Sequence, residues 1–365
     1  MPAPSRELPD SGQRKLHLPR SRTRRFLFVG IYLLFCGGLI WGGAKLFWRL
    51  RSGVPVTESP TVWDYFYPEL RKSGVWAASV SNQDDVFDVL LLGGSALETN
   101  RGSIEAELTE GLRKELGPKH VRVFNLAKVA HSSRDSLFKH AVLKDKAFDL
   151  VIAYDGFNDV RMNSFPRDKF RDDYTHCSWY RSIAERVAAG KVNLAQAVKS
   201  EWDLSMGLGA VEPIHFDEGR DIKTTGPFRG NLEGLLNDAK SRGETLLLMT
   251  VAWHIPADYT LQKFGDKTID YSFLSNGHSC PVEMWGRADL VGPAVRAHNA
   301  VLRQFAAEHH EVLFVDQESG IHGGRENFVD PCHFTAAGCK AFVANVLHRL
   351  HPKLAEFRAQ RNSAS

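Results

Sequence analysis

The stretch Val86-Phe87-Asp88-Val89-Leu90-Leu91-Leu92-Gly93-Gly94-Ser95-Ala96-Leu97-Glu98 decides the fold. Residues 86–92 form a short, largely apolar run rich in branched side chains, ending at a glycine pair. A strand buried on both faces reads this way when it stops at a sharp turn. Ser95 then falls just past the strand's carboxyl end, where open parallel α/β sheets bind ligands. A serine held there can present its hydroxyl to solvent and its own N–H to a bound carbonyl. Gly-Gly-Ser is also an ordinary turn, so the rest of the chain must decide between the two.

Downstream of this stretch, strand-like and helix-like segments alternate. The pattern predicts helices over 104–116, 133–145, 230–241, 288–309 and 335–350, and strands over 121–126, 148–154, 245–251 and 312–315. Such alternation implies a five-stranded parallel sheet covered by helices on both faces. One domain over 83–352 accommodates it, with irregular insertions at about 160–225 and 253–287 and a polar tail at 353–365. A loop as long as the first insertion is usually functional. Its aromatics Phe165, Phe170, Tyr174, Trp179 and Tyr180 either line a pocket or pack the insertion down.

Upstream, charge is asymmetric. Up to Arg51, ten Arg and Lys stand against Glu7 and Asp10, a net of +8; the remainder carries −5 of the total of +3. The folded part is therefore not a nucleic-acid binder by charge. A charged content of 24% and a hydrophobic content of 43% are globular values. Residues 26–44 are uncharged and largely apolar, long enough to cross a bilayer. Arg14, Lys15, Arg20, Arg22, Arg24 and Arg25 precede them, and by the positive-inside rule the basic tail (1–25) stays cytoplasmic while the rest is exported. Lys45, Arg49 and Arg51 on the far side oppose that orientation more weakly. The rival readings are a signal peptide, for which the run is long and lacks an Ala-x-Ala site, and a core helix, which five glycines disfavour. The expected anchor spans 26–48, with Trp41 and Trp48 at the membrane interface, and 49–82 read as a neck in which 62–76 forms a helix on the domain.

Each later strand end carries polar residues: Asn125 to Ser132 after the second strand, Asp155-Gly156-Phe157-Asn158-Asp159 after the third, and Asp330-Pro331-Cys332-His333 after the fifth. In an α/β sheet these loops converge on the edge that holds Ser95. Asp330 and His333, three apart at a turn entering a helix, can face one another, with Thr335 as the helix cap. The carboxylate then fixes the imidazole, whose other nitrogen can take the Ser95 proton. Asn158 offers an amide N–H₂ suited to a developing oxyanion. The plainer readings are a capping aspartate with a surface histidine and an Asn-Asp turn; four strand ends agreeing in this order favour chemistry.

With these residues in view, the sequence resembles the SGNH (GDSL-type) hydrolases. Gly94-Ser95, Asn125 to Ala130, Gly156-x-Asn158-Asp159 and Asp330-x-x-His333 match that family's four motif blocks, and the likeness covers roughly residues 86–350. It implies a three-layer α/β/α flavodoxin-like fold and a Ser95, His333, Asp330 triad. It also implies an oxyanion hole made by the Ser95 N–H, the Ala130 N–H and the Asn158 side chain. Two departures stand out: Gly94 replaces the eponymous aspartate, and Ala130 replaces the expected oxyanion glycine. The expected activity is hydrolysis of acyl esters, most simply acetyl, on an extracytoplasmic carbohydrate. The alternatives are an O-acyltransferase with the same triad and a scaffold with a decayed site. No cofactor is expected, and no metal, since His309, His310, His322 and His351 are scattered and the cysteines lack Cys-x-x-Cys spacing. The expected partners are the acylated substrate and the membrane, with no nucleic acid. Export into an oxidising space, together with the 2-1-3-4-5 strand order, leads to the expectation that Cys280 pairs with Cys177 or Cys332.

Overall fold

A computed structural model of the chain describes residues 22–190, 192, 213–273 and 279–364. It begins with α1 (Arg22–Ser52), α2 (Val62–Phe66) and α3 (Glu69–Lys72) before β1 (Phe87–Gly93) opens the sheet. Next come α4 (Ile104–Leu116), β2 (Val121–Asn125), α5 (Ser133–Val142) and β3 (Leu150–Tyr154). The insertion helix α6 (Ser178–Ala189) is followed by α7 (Thr225–Arg242), β4 (Thr245–Met249), α8 (Ala288–Glu308), β5 (Leu313–Val315) and α9 (Ala336–Ala364). All pairings are parallel and the strand order is β2-β1-β3-β4-β5. This is the flavodoxin-like three-layer fold that the motif resemblance implies.

The sheet forms around β1 because every residue of β1 is buried. Phe87, Val89 and Leu91 enter one apolar core while Leu90 and Leu92 enter the other, the two-residue alternation of a strand. Helix α4 covers the first face with Ile104, Leu108, Leu112 and Leu116, spaced four apart so that they share a stripe. Helix α9 packs beside it. Helices α5 and α7 cover the second face, where Leu232, Leu235, Leu236 and Ala239 are buried. Each fully buried leucine contributes about 1.5–3 kcal/mol relative to exposure. The chain leaves β1 for β2 and then crosses back to β3. That reversal opens a crevice between the carboxyl ends of β1 and β3.

Helix α1 differs from the others in exposing apolar side chains all round. Phe26 is 75% and Leu34 78% exposed, and mean hydropathy reaches 2.0 in an 18-residue window within Arg24–Ser52. Among the described residues it is the one helix long and apolar enough to cross a membrane. Arg14, Lys15 and Arg20 lie outside the described residues.

Four expectations need correction. Residues 62–76 pack on the domain as two short helices, α2 and α3, rather than one, and Val54 of the expected neck is buried with them in the second core. Trp48 belongs to that core too, 5% exposed and edge-on to Tyr65, rather than to a membrane interface. The tail expected from residue 353 is helical to Ala364, because Leu354 and Phe357 are buried against the first core and hold the helix through Pro352. All five cysteines are free thiols. Cys177 sits against Met162 Sδ at 3.1 Å, and the backbones of Cys280 and Cys332 both turn toward Asp330. The first insertion also contains α6, closed by Gly190 in the left-handed region (φ 66°). Its aromatics Tyr174 and Tyr180 pack the insertion down, 0% and 3% exposed.

Candidate active site

The glycine pair at the end of β1 is there because the backbone is crowded. A Cβ on Gly93 (φ +149°) would meet the Tyr154 carbonyl oxygen at 2.6 Å, and one on Gly94 would meet Asn158 Nδ2 at 2.5 Å. An aspartate at position 94 therefore has no room in this arrangement. Ser95 follows at the start of a single 3₁₀ turn, Ser95–Leu97, and is 6% exposed.

Ser95 Oγ lies 2.7 Å from His333 Nε2. His333 Nδ1 lies 2.7 Å from Asp330 Oδ2 and 2.9 Å from Oδ1. An ionised carboxylate only accepts, so Nδ1 carries the proton and Nε2 is left to accept from the serine hydroxyl. Asp330 and His333 are both fully buried. Burial would raise the Asp330 pKa, but the His333 ring and the N–H groups of Cys280 and Cys332 outweigh it and hold the carboxyl below its ordinary value. The Cys280 N–H donates to Oδ2 at 2.9 Å, and those of Cys332 and His333 donate to Oδ1 at 3.1 and 2.9 Å. Cys280 comes from the second insertion, and nothing in its sequence neighbourhood marks it for this part.

Asn158 opens a 3₁₀ segment, Asn158–Asn163, after β3. Its Nδ2 donates to the His131 carbonyl at 2.7 Å, and its Oδ1 accepts from Trp285 Nε1 at 2.9 Å. These two partners fix which way the amide faces and leave its second N–H available. Trp285 is a site residue that sequence reasoning missed; its ring stands edge-on to Phe157 at 4.7 Å. Ala130 lies in the loop after β2 with φ 63°, the left-handed region where a β-carbon is disfavoured. The loop is held beside β1 by Leu126 N–H to Leu91 O at 2.9 Å and Lys128 N–H to Gly93 O at 3.1 Å.

A small cavity is lined by Gly94, Ser95, His131, Asp155, Asn158 and Cys332, among others. Of the five predicted site residues, Ser95 and Asn158 line it, His333 and Asp330 connect to it through the Ser95 hydroxyl, and Ala130 is the immediate neighbour of His131. His131 and Asp155 also line the cavity. Burial, reinforced by Lys139, lowers the His131 pKa below its ordinary value. Burial, reinforced by Asp159, pushes the Asp155 carboxyl up to about 8, and its Oδ1 has no hydrogen-bond partner.

The donor atoms of Cys280, Asp330 and His333 fall within 4.8 Å of one another, as ligands of a metal ion would. Yet Asp330 and His333 are 2.7 Å apart, a hydrogen-bond distance. Two ligands at about 2.1 Å around a tetrahedral ion would stand roughly 3.4 Å apart, so the spacing fits a shared proton better.

No protein-family model and no curated protein matches the chain. Solved structures do. A GDSL-like lipase from Bacteroides thetaiotaomicron is 13% identical, with 79% of this chain and 99% of its own covered at a TM-score of 0.41. Axe2, an acetylxylan esterase from Geobacillus stearothermophilus, is 16% identical over 74% of this chain and 95% of its own, TM-score 0.40. TesA is 16% identical over 73% and 98%, TM-score 0.40. At these values the likeness carries no chemistry, and the fold rests on the chain's own strand order.

Proposed function

We propose that the chain is a serine ester hydrolase of the SGNH type, anchored by α1, that removes a small acyl group from an extracytoplasmic carbohydrate. The observation that carries this reading is the unbroken chain from Ser95 Oγ through His333 to Asp330, at the carboxyl edge of the sheet. Ser95 Oγ attacks the acyl carbonyl while His333 Nε2 takes its proton. The imidazolium is stabilised by Asp330 and returns the proton to the leaving alcohol. Water, deprotonated by the same nitrogen, then cleaves the acyl-enzyme. The oxyanion of each tetrahedral intermediate is held by the Ser95 N–H, the Ala130 N–H and the free N–H of Asn158. The cavity is small, about 20 Å³, little more than the space for one water, and acetyl is the acyl group that asks least of it. The anchor keeps the amino end cytoplasmic and the sheet outside.

The test is an acyl-ester screen on the full chain in detergent, with and without sugar acceptors, alongside labelling of Ser95 by a fluorophosphonate. Acetyl ester turnover and labelling, both lost in Ser95→Ala, are expected. Acyl transfer to the added sugar in preference to water would redirect the proposal to an O-acyltransferase. Full turnover by Ser95→Ala would overturn it.

A further inference from the structure

Asn158 is aimed by the His131 carbonyl, so whatever holds residues 130–132 also holds the oxyanion site. That support comes from far away in sequence. Asp135, 1% exposed at the start of α5, accepts four hydrogen bonds. The Ser132 N–H donates to Oδ2 at 2.9 Å, inside a capping box that closes the loop onto the helix. Tyr180 OH donates to the same oxygen at 2.6 Å. Tyr67 OH and Trp179 Nε1 both donate to Oδ1, each at 2.9 Å. The Tyr67 and Trp179 rings also enclose the His131 ring, at centroid distances of 5.6 and 5.9 Å.

The two flanking aromatics belong to separate additions to the sheet. Trp179 lies on α6 of the first insertion. Tyr67 lies between α2 and α3, and that segment is tied to the foot of α1. Arg51 Nη2 donates to the Tyr65 carbonyl at 2.9 Å and Ser52 Oγ to the Asp64 carbonyl.

We infer that Tyr67 and Trp179 are positioning residues for the oxyanion hole, clasping Asp135 and the His131 ring so that the 130–132 loop keeps Asn158 aimed. This inference rests on the ester-hydrolase reading above. Neither residue touches the reacting atoms. Their effect runs through a loop that carries a strained alanine, and a loop under strain keeps its shape only where its surroundings over-determine it. A shift of about 1 Å in such a donor can cost on the order of 10²-fold in rate.

The experiment compares Tyr67→Phe, Trp179→Phe and Ser95→Ala with the wild-type full chain in detergent, with fluorophosphonate titration counting competent sites. Tyr67→Phe keeps the ring and removes only the hydroxyl; Trp179→Phe removes the indole N–H. The expected result is a fall in kcat per titrated site of about 10-fold in each, with KM within about 2-fold and slower Ser95 labelling. A merely structural role would lower the melting temperature or the number of sites and leave kcat per site unchanged, and that result overturns the inference. If one variant fails to fold, the other decides, since the two donors come from different segments. Full activity in Ser95→Ala would instead overturn the hydrolase reading, and the two failures are thereby told apart.

Discussion

The proposed acid–base half of the site and the proposed oxyanion half are built differently. Asp330 and His333 are three residues apart, and the carboxylate is held by three backbone N–H groups, two of them from its own turn. The oxyanion half depends on side chains: Asn158 is aimed by Trp285 and the His131 carbonyl, and that carbonyl's loop is anchored by Tyr67, Trp179 and Tyr180. Backbone support survives most substitutions, whereas side-chain support can be removed one group at a time. The first half should therefore fail only when its own residues are changed. The second should weaken in steps as remote residues are changed.

The harshest test of the first half is Asp330→Asn. The amide retains one acceptor oxygen for backbone donors but presents N–H₂ toward Nδ1, which favours the wrong imidazole tautomer. The analogous change in a well-studied triad lowers kcat about 10⁴-fold, and steady-state kinetics should show a loss of that order here. In the second half, Asn158→Ala removes one oxyanion donor and should cost about 10²–10³-fold in kcat. Trp285→Phe leaves Asn158 in place but frees its Oδ1, so a smaller loss, roughly 10-fold, is expected. Equal losses in these two variants would mean that Trp285 does more than orient the amide, and the stepwise picture would break.

The halves also differ in how they respond to pH. Asp330 is held below its ordinary pKa, and so contributes stability that is present above that value and lost as pH falls. Asp155, on the oxyanion side, has the opposite sign. Its pKa rises from 3.8 to about 8 on burial, so the folded chain binds this proton more tightly than the unfolded one. The associated stability is full below about pH 4 and declines as pH rises through 8. The groups that bear on it are Asp159 and Asp135, which raise the pKa, and Ser136 and Lys139, which lower it. Urea unfolding of Asp155→Asn between pH 5 and 9 should show a flatter decline than wild type. An identical decline would place the titrating group elsewhere, with Asp149, raised to about 7 at the start of the sheet, as the next to examine.

The same division explains what could be read from the sequence. β1 was legible because a strand covered on both faces must be apolar throughout, and Asp330 with His333 because their spacing is local. The glycine pair was legible as a turn, though its cause is crowding by Tyr154 and Asn158 from the next strand end. Cys280, Trp285 and Tyr67 were not legible, since their partners lie 50, 127 and 68 residues away. The reach of α9 beyond Pro352 depends on Leu354 and Phe357 finding the first core, and local signals there point to a stop. Trp48 read as interfacial because its neighbours in sequence are membrane-like, while its ring packs edge-on against Tyr65 in the second core.

The smallest expected effect falls on Ala130. Its φ of 63° is a conformation in which the methyl group crowds the following carbonyl, at about 1 kcal/mol. Glycine removes that cost but gives the unfolded chain more freedom, worth about 0.4–1 kcal/mol in the other direction. The strain exceeds the entropy where the left-handed conformation is enforced, and here the clasp on Asp135 and the loop's hydrogen bonds to β1 enforce it. Ala130→Gly should therefore leave stability unchanged or raise it by up to roughly 0.5 kcal/mol, with kcat equal to or above that of wild type. Thermal unfolding beside initial-rate kinetics on an acetyl ester checks both. A large fall in kcat would mean that the methyl packs usefully against bound substrate and that the oxyanion hole does not run through this N–H. The same substitution in a Tyr67→Phe background sharpens the comparison between the two halves. With the clasp loosened, a glycine at 130 has less to hold it in the left-handed region, so the combined loss in kcat should exceed the product of the single effects.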